Sequence, residues 1–171
     1  ILTGGPGTGK TTTLNGMLDL LEEHGYALAL CAPTGRAAKR MSEITHRDAK
    51  TVHRLLEVDY DGELLSFRRN EKNPLKADVV VVDEVSMVDT LLMEALLRGI
   101  KPNGRLVLVG DYHQLPSVGA GNVLWDLLQQ QTIPTVRLTQ VFRQAAKSRI
   151  ITNAHAVVAG EMPDLSRQGA E

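Results

Sequence analysis

The run Gly4-Gly5-Pro6-Gly7-Thr8-Gly9-Lys10-Thr11 has the spacing G-x-x-x-x-G-K-[ST], and that spacing builds a phosphate cradle. Glycine lets the backbone curl until successive N–H groups point at one anion. The helix that follows adds the partial positive charge of its N-terminus. In such a loop Lys10 reaches β- and γ-phosphates, and the Thr11 hydroxyl supplies a ligand for Mg²⁺. Gly5, Pro6, Gly7, Thr8, Gly9, Lys10, Thr11 and Thr12 therefore form the candidate nucleotide-binding set.

Further chemistry lies downstream. Val79-Val80-Val81-Val82 runs into Asp83-Glu84. By itself an acid pair after a valine run marks only a strand leaving the core. With the lysine loop, Asp83 reads as a holder of Mg²⁺ and Glu84 as the base that polarises an attacking water. Leu106–Gly110 leads into Asp111-Tyr112-His113-Gln114; Gln114 is placed to sense the γ-phosphate or the water, while Asp111 and His113 read as turn residues. Arg143 follows another strand and reads either as a cis-supplied arginine finger or as an ordinary surface arginine. The catalytic candidates are Lys10, Asp83, Glu84, Gln114 and Arg143, and the metal candidates are Thr11 and Asp83.

These groups must be carried by a scaffold. Tyr26–Ala32, Val79–Asp83, Leu106–Gly110 and Thr135–Leu138 read as strands, several nearly all apolar, as strands buried on both faces are. Lys10–Glu23, Gly35–Ser42, Thr90–Leu97, Asn122–Gln129 and Lys147–Ala159 carry apolar residues at helical spacing. The alternation predicts an α/β domain with a parallel sheet and right-handed crossovers. Leu56–Arg69 breaks the rhythm and reads as a β-hairpin turning near Asp61-Gly62. Ile1-Leu2-Thr3 is short for the buried strand expected before the first glycine, and Met162–Glu171 is polar, so the chain reads as a piece of a larger protein.

Composition narrows the classes. The 171 residues are 43% hydrophobic and 23% charged, with 19 basic and 20 acidic side chains, a length suited to one domain. A net charge of −1 excludes nucleic-acid binding by bulk charge but permits a local basic face. The single Cys31 can form no internal disulfide, and no apolar run spans a membrane. Only six residues are aromatic, which argues against stacking successive bases. The expectation is a soluble cytoplasmic protein with no membrane partner. Residues 33–54 stand out, with Arg36, Lys39, Arg40, Arg47, Lys50 and Arg54 against Glu43 and Asp48.

The order of motifs resembles superfamily 1 helicases. Gly4–Thr11, Ala32-Pro33-Thr34-Gly35-Arg36-Ala37-Ala38, Thr51-Val52-His53-Arg54, Val82–Asp89, Gly110–Asn122 and Phe142-Arg143-Gln144 are similar to that family's motifs I, Ia, Ib, II, III and IV. Val85-Ser86-Met87-Val88-Asp89 and Gln114–Gly121 look like the RecD branch, which includes the exodeoxyribonuclease V alpha subunit. The resemblance implies a RecA-like P-loop NTPase domain over residues 1–171, with residues 56–76 as a small insert like domain 1B. It implies an ATP- and Mg²⁺-dependent bacterial DNA translocase moving 5′ to 3′ in recombination or repair. Its partners would be single-stranded DNA or a duplex with a 5′ overhang, a second RecA-like domain of the same parent chain, and other repair subunits.

By the same resemblance Phe142 stacks on adenine, and Pro33, Thr34, Arg36, Lys39, Thr51, His53, Gly121 and Asn122 are the DNA-binding candidates. A plain surface hairpin and a strand-separating pin both fit the insert. Two other functions fit the phosphate loop: a P-loop ATPase of the AAA type acting on protein, and a nucleotide-dependent binding module without catalysis.

Overall fold

A computed structural model of the chain describes residues 1–61, 64–141 and 148–164. Strand β1 (Leu2–Gly4) leads into helix α1 (Lys10–Glu23), then β2 (Leu28–Ala32), α2 (Gly35–Thr45), β3 (Ala49–Thr51) and the single turn α3 (Val52–Leu55). A hairpin of β4 (Val58–Asp61) and β5 (Leu64–Phe67) follows. The chain then returns to β6 (Val79–Val82), a 3₁₀ turn at Val85–Met87, α4 (Thr90–Gly99), β7 (Arg105–Gly110), α5 (Val123–Gln129), β8 (Val136–Leu138) and α6 (Arg149–Val158).

Six strands form one sheet in the order β3-β2-β6-β7-β1-β8, and every neighbouring pair is parallel. Side chains alternate across it. Val79 and Val81 pack with Leu14, Leu18 and Met41 of α1 and α2; Val80 and Val82 pack with Val52, Met93, Leu96 and Leu124 on the other face. A four-valine strand is what such a position requires, since each fully buried valine contributes about 1.5–3 kcal/mol relative to exposure. No helix among the described residues is long and apolar enough to cross a membrane.

Two features differ from the sequence expectation, while the expected hairpin is present. The short Leu2–Gly4 does form a buried strand, because β7 and β8 pair with it from both sides and supply the hydrogen bonds that length does not. Strand β3 was not evident: Ala49-Lys50-Thr51 has no apolar run and is held at the sheet edge by pairing with β2. The hairpin strands pair Val58 with Phe67 and Asp61 with Leu64; residues 62 and 63 lie outside the described ones. Its base is neutralised by its own charges, Arg68 with Asp59 at 2.8 Å and Arg69 with Glu57 at 2.6 Å.

The loop between β7 and α5 is pinned to the start of α4. Asp89 caps that helix by accepting from the Leu92 N–H at 2.8 Å, and Thr90 N–H donates to Ala120 O at 3.0 Å. A Cβ on Gly119 would stand 2.0 Å from Asp89 Oδ2, and one on Gly121, at φ +92°, would stand 2.1 Å from Thr90 Oγ1. Close approach to α4 thus accounts for both glycines. Gly119→Ala should push Asp89 off its cap and destabilise the fold by about 1–2 kcal/mol, the usual worth of an N-cap. Urea denaturation, with an unchanged m-value, is the measurement that checks it.

Candidate functional site

All six strands of the parallel sheet end at one edge, where ligands of open α/β sheets bind. The glycine loop leaves β1 there and the acid pair leaves β6, with β7 between them. Two strand spacings set these exits about 10 Å apart, enough for a phosphate and an ion between them. A cavity of about 470 Å³ opens at this edge, lined by Pro6, Gly7, Gly9, Lys10, Thr11, Arg40, Asp83, Glu84 and Gln114 together with Leu14, Met41, Ile44, Thr45 and Val109.

The loop is shaped by glycines at left-handed φ: Gly7 at +73° and Gly9, which starts α1, at +88°. Thr8 turns inward and donates to Gly5 O at 2.8 Å, so it braces the loop. Lys10 Nζ donates to Gly4 O at 2.6 Å and to Gly5 O at 3.0 Å. An ammonium has three protons, and two of them hold this one against its own loop while the third is free to donate. Thr11 lines the cavity; Gly5, Thr8 and Thr12 are not among its lining residues.

At the other wall Asp83 Oδ1 accepts the Glu84 N–H at 2.9 Å. Glu84 has φ +53° and ψ +39°, a left-handed conformation that costs a non-glycine residue of order 1–3 kcal/mol. Burial raises the Asp83 carboxyl above the ordinary carboxylate range. It raises Glu84 as well, with the charge of Asp83 adding to the effect. Lys10 and Arg40 oppose both shifts. Asp111 is buried and accepts the His113 N–H at 3.0 Å, the turn-capping role its sequence position suggested.

Thr11 and Asp83 make a donor set of one hydroxyl and one carboxylate. That sparse set fits Mg²⁺, which keeps most of its waters and takes phosphate oxygens. Among the described residues no group of three or more His, Cys, Asp or Glu gathers as a cage. Phe142 and Arg143 lie outside the described residues.

The basic segment is only partly a free surface. A groove of about 300 Å³ is lined by Gly35, Ala38, Lys39, Ser42, Ala49, Lys50, Thr51 and Arg54, with cations but no acid among its walls. Thr34 and Thr51 lie at or beyond the ends of the paired strands β2 and β3. Their hydroxyls accept from Ala37 N and Arg54 N, each at 3.2 Å, which leaves each O–H free to donate. Arg36 is exposed on the first turn of α2. Other candidates sit elsewhere. The His53 ring faces Phe67 of the hairpin at 6.0 Å between centroids, and Gly121 and Asn122 belong to the loop pinned on α4. Arg47 is a staple instead, bonded at 2.6 Å to both Asp19 and Glu22 of α1.

Two residues reach the site that the sequence did not assign to it. Arg40 enters the cavity from α2. His155 of α6 comes within 3.2 Å of Pro6 O through Nε2, and its ring would stand 3.1 Å from a Cβ on Gly5. The sequence marks Arg40 only as one cation of the basic segment and does not mark His155; long-range packing brings both to this wall.

Residues 1–170 match the family model described as AAA domain. The ATP-dependent RecD2 DNA helicase of Deinococcus radiodurans is 51% identical over 163 residues, covering 95% of this chain and 22% of that protein. RecBCD enzyme subunit RecD of Mycobacterium tuberculosis is 39% identical, covering 100% of this chain and 34% of that one. The chain therefore spans about a fifth to a third of these relatives' lengths. The Pif1 helicase from Candida albicans has a similar fold, with a TM-score of 0.62 at 27% identity, over 95% of this chain and 41% of that chain.

The raised carboxyls give a pH signature. The folded chain holds their protons more tightly than the unfolded chain, so their contribution to stability is greatest at low pH and falls as pH rises through the raised values. In magnesium-free buffer Asp83→Asn should have a higher urea midpoint than the parent at pH 7–8. Below about pH 3, where the carboxyl is protonated in both states, the two midpoints should converge.

Proposed function

The chain belongs to the AAA domain family, in the RecD-like branch of the superfamily 1 helicases, and from that membership we propose that it is the ATP-hydrolysing motor of a longer DNA helicase. The observation that carries this reading is the convergence of Lys10, Thr11, Asp83, Glu84 and Gln114 on one cavity. A basic groove shares the wall of that cavity, because α2 presents Arg40, Met41, Ile44 and Thr45 to the one and Gly35, Ala38, Lys39 and Ser42 to the other.

Each group has a task in hydrolysis. The third Lys10 proton donates to a phosphate oxygen, and the same charge serves ground and transition states. Thr11 and Asp83 would hold Mg²⁺, which neutralises charge on the phosphate oxygens. Glu84 accepts a proton from the attacking water as the water oxygen bonds to the γ-phosphorus and the bond to the bridging oxygen breaks. Gln114 orients that water or the γ-phosphate. In the groove, Lys39, Lys50 and Arg54 contact backbone phosphates, which position a strand without reading its sequence. This reading extends to Mg²⁺, 5′-to-3′ movement on single-stranded DNA, a 5′-overhang duplex as substrate, a second RecA-like domain and other repair subunits as partners, residues 56–76 as a domain 1B-like insert, and a cytoplasmic setting.

In the intact parent protein, Lys10→Ala should lose tight ATP binding and hydrolysis together. Glu84→Gln should keep binding and slow hydrolysis by about 10²-fold or more, the range of general-base losses. Equilibrium nucleotide binding and steady-state turnover, measured on both variants, separate these outcomes. Oligo-dT should stimulate the parent's ATPase, whereas an ATPase acting on protein would respond to unfolded polypeptide instead.

A test of the groove is independent of these. Lys39→Ala should weaken single-strand binding equally across sequences. It should also reduce the slope of log K against log salt by about 0.7, the value of one lost phosphate contact on a single strand. Fluorescence anisotropy titrations across a salt series provide the measurement, and an unchanged slope would return Lys39 to the solvent-facing surface.

A further inference from the structure

Lys39 and Arg40 are consecutive cations on α2, and the helix sends them to different places. A step of one residue turns about 100° around the axis. Lys39 lines the basic groove, while Arg40 lines the nucleotide cavity with Lys10, Asp83, Glu84 and Gln114.

Of the cations in the basic segment, Arg36, Arg40 and Arg54 make no ion pair among the described residues, and of these three Arg40 alone lines the nucleotide cavity. Lys39 lies 3.9 Å from Glu43, Arg47 lies 2.6 Å from Asp19 and Glu22, and Lys50 lies 3.6 Å from Asp48. Arg40 has no ion-pair partner within 4.0 Å among the described residues, although its charge draws both Asp83 and Glu84 toward ionisation. A guanidinium carries five N–H donors in a planar fork that matches two oxygens of a phosphate. The acid pair and Gln114 mark where the terminal phosphate and the attacking water belong. The backbone N–H groups of the glycine loop serve the inner phosphates.

We propose that Arg40 is a terminal-phosphate residue, donating to γ-phosphate oxygens from the α2 wall of the cavity and biasing the site toward nucleoside triphosphate over diphosphate. The inference rests on reading this cavity as the nucleotide site. It gives the site a cation that belongs to neither the glycine loop nor the segment after β8. That cation sits on the helix whose other face forms the basic groove.

The test compares affinities without turnover. Dissociation constants for a fluorescent non-hydrolysable ATP analogue and its ADP counterpart are measured with Mg²⁺ and without DNA, on the intact parent protein and on Arg40→Ala, Arg40→Lys and Lys10→Ala. Arg40→Ala should weaken the ATP analogue about 10-fold, the scale of one charge-assisted hydrogen bond, and leave ADP within about two-fold. Arg40→Lys should recover part of the loss, since an ammonium keeps the charge without the fork. Equal weakening of both nucleotides by Arg40→Ala, or weakening of neither, overturns the inference. If Lys10→Ala loses both nucleotides while Arg40→Ala loses neither, the inference falls and the nucleotide reading stands. If Lys10→Ala binds both at parental affinity, the nucleotide reading falls and takes the inference with it.

Discussion

Burial of β6 on both faces is the constraint from which the rest follows. A strand whose four side chains are all valine has no face for water, so it can lie only inside a sheet covered by helices on both sides. Its neighbours β2 and β7 run parallel to it, and parallel strands need crossover connections that supply those helices. Parallel order also sends every strand out at one edge. The first polar residues after the valines, Asp83 and Glu84, therefore emerge beside the glycine loop of β1, already partly desolvated. Their raised carboxyl pKa values and the left-handed backbone of Glu84 are local costs of that placement. The buried apolar contacts around β6 are large enough to sustain them.

Helix α2 divides that edge into a cavity and a groove. It packs Met41 into the core beside Leu14 and Leu18 and divides its polar residues between a cavity and a groove. Arg47, just beyond its end, ties it to α1 through two carboxylates. The helix that carries the phosphate loop and the helix that walls the groove are thus joined by charge as well as by packing. Any shift of one that accompanies ligand binding must move or strain the other.

The segment after β8 adds a support from far along the chain. His155 of α6 approaches the carbonyl of Pro6, so the glycine loop is covered by a ring contributed 149 residues later. Asn153 and Asp164 exchange two hydrogen bonds of 2.9 Å, which turn the chain back along α6 once the helix has ended. The phosphate loop is consequently held from within by Thr8 and Lys10 and from outside by α6.

What the sequence by itself determined was whatever depends on consecutive residues. The glycine loop between β1 and α1 was legible because eight adjacent residues set their own φ angles and hydrogen bonds. The bounds of α1 and the parallel α/β class were legible because burial on one or two faces leaves a period in the chain. Gln114 and the acid pair could be placed because parallel strands deliver their ends to a common edge. The tertiary structure alone decided the rest. Arg40 and Arg47 look alike in a list of cations, yet one enters the cavity and the other is spent on α1, because helix rotation and a neighbour's carboxylates assign them. His53 faces Phe67, His155 covers Gly5, and Gly119 and Gly121 are glycines because α4 lies against them. Such contacts join residues tens to more than a hundred positions apart. Their partners are set by which elements pack together and at what rotation, and no short stretch of sequence carries that information.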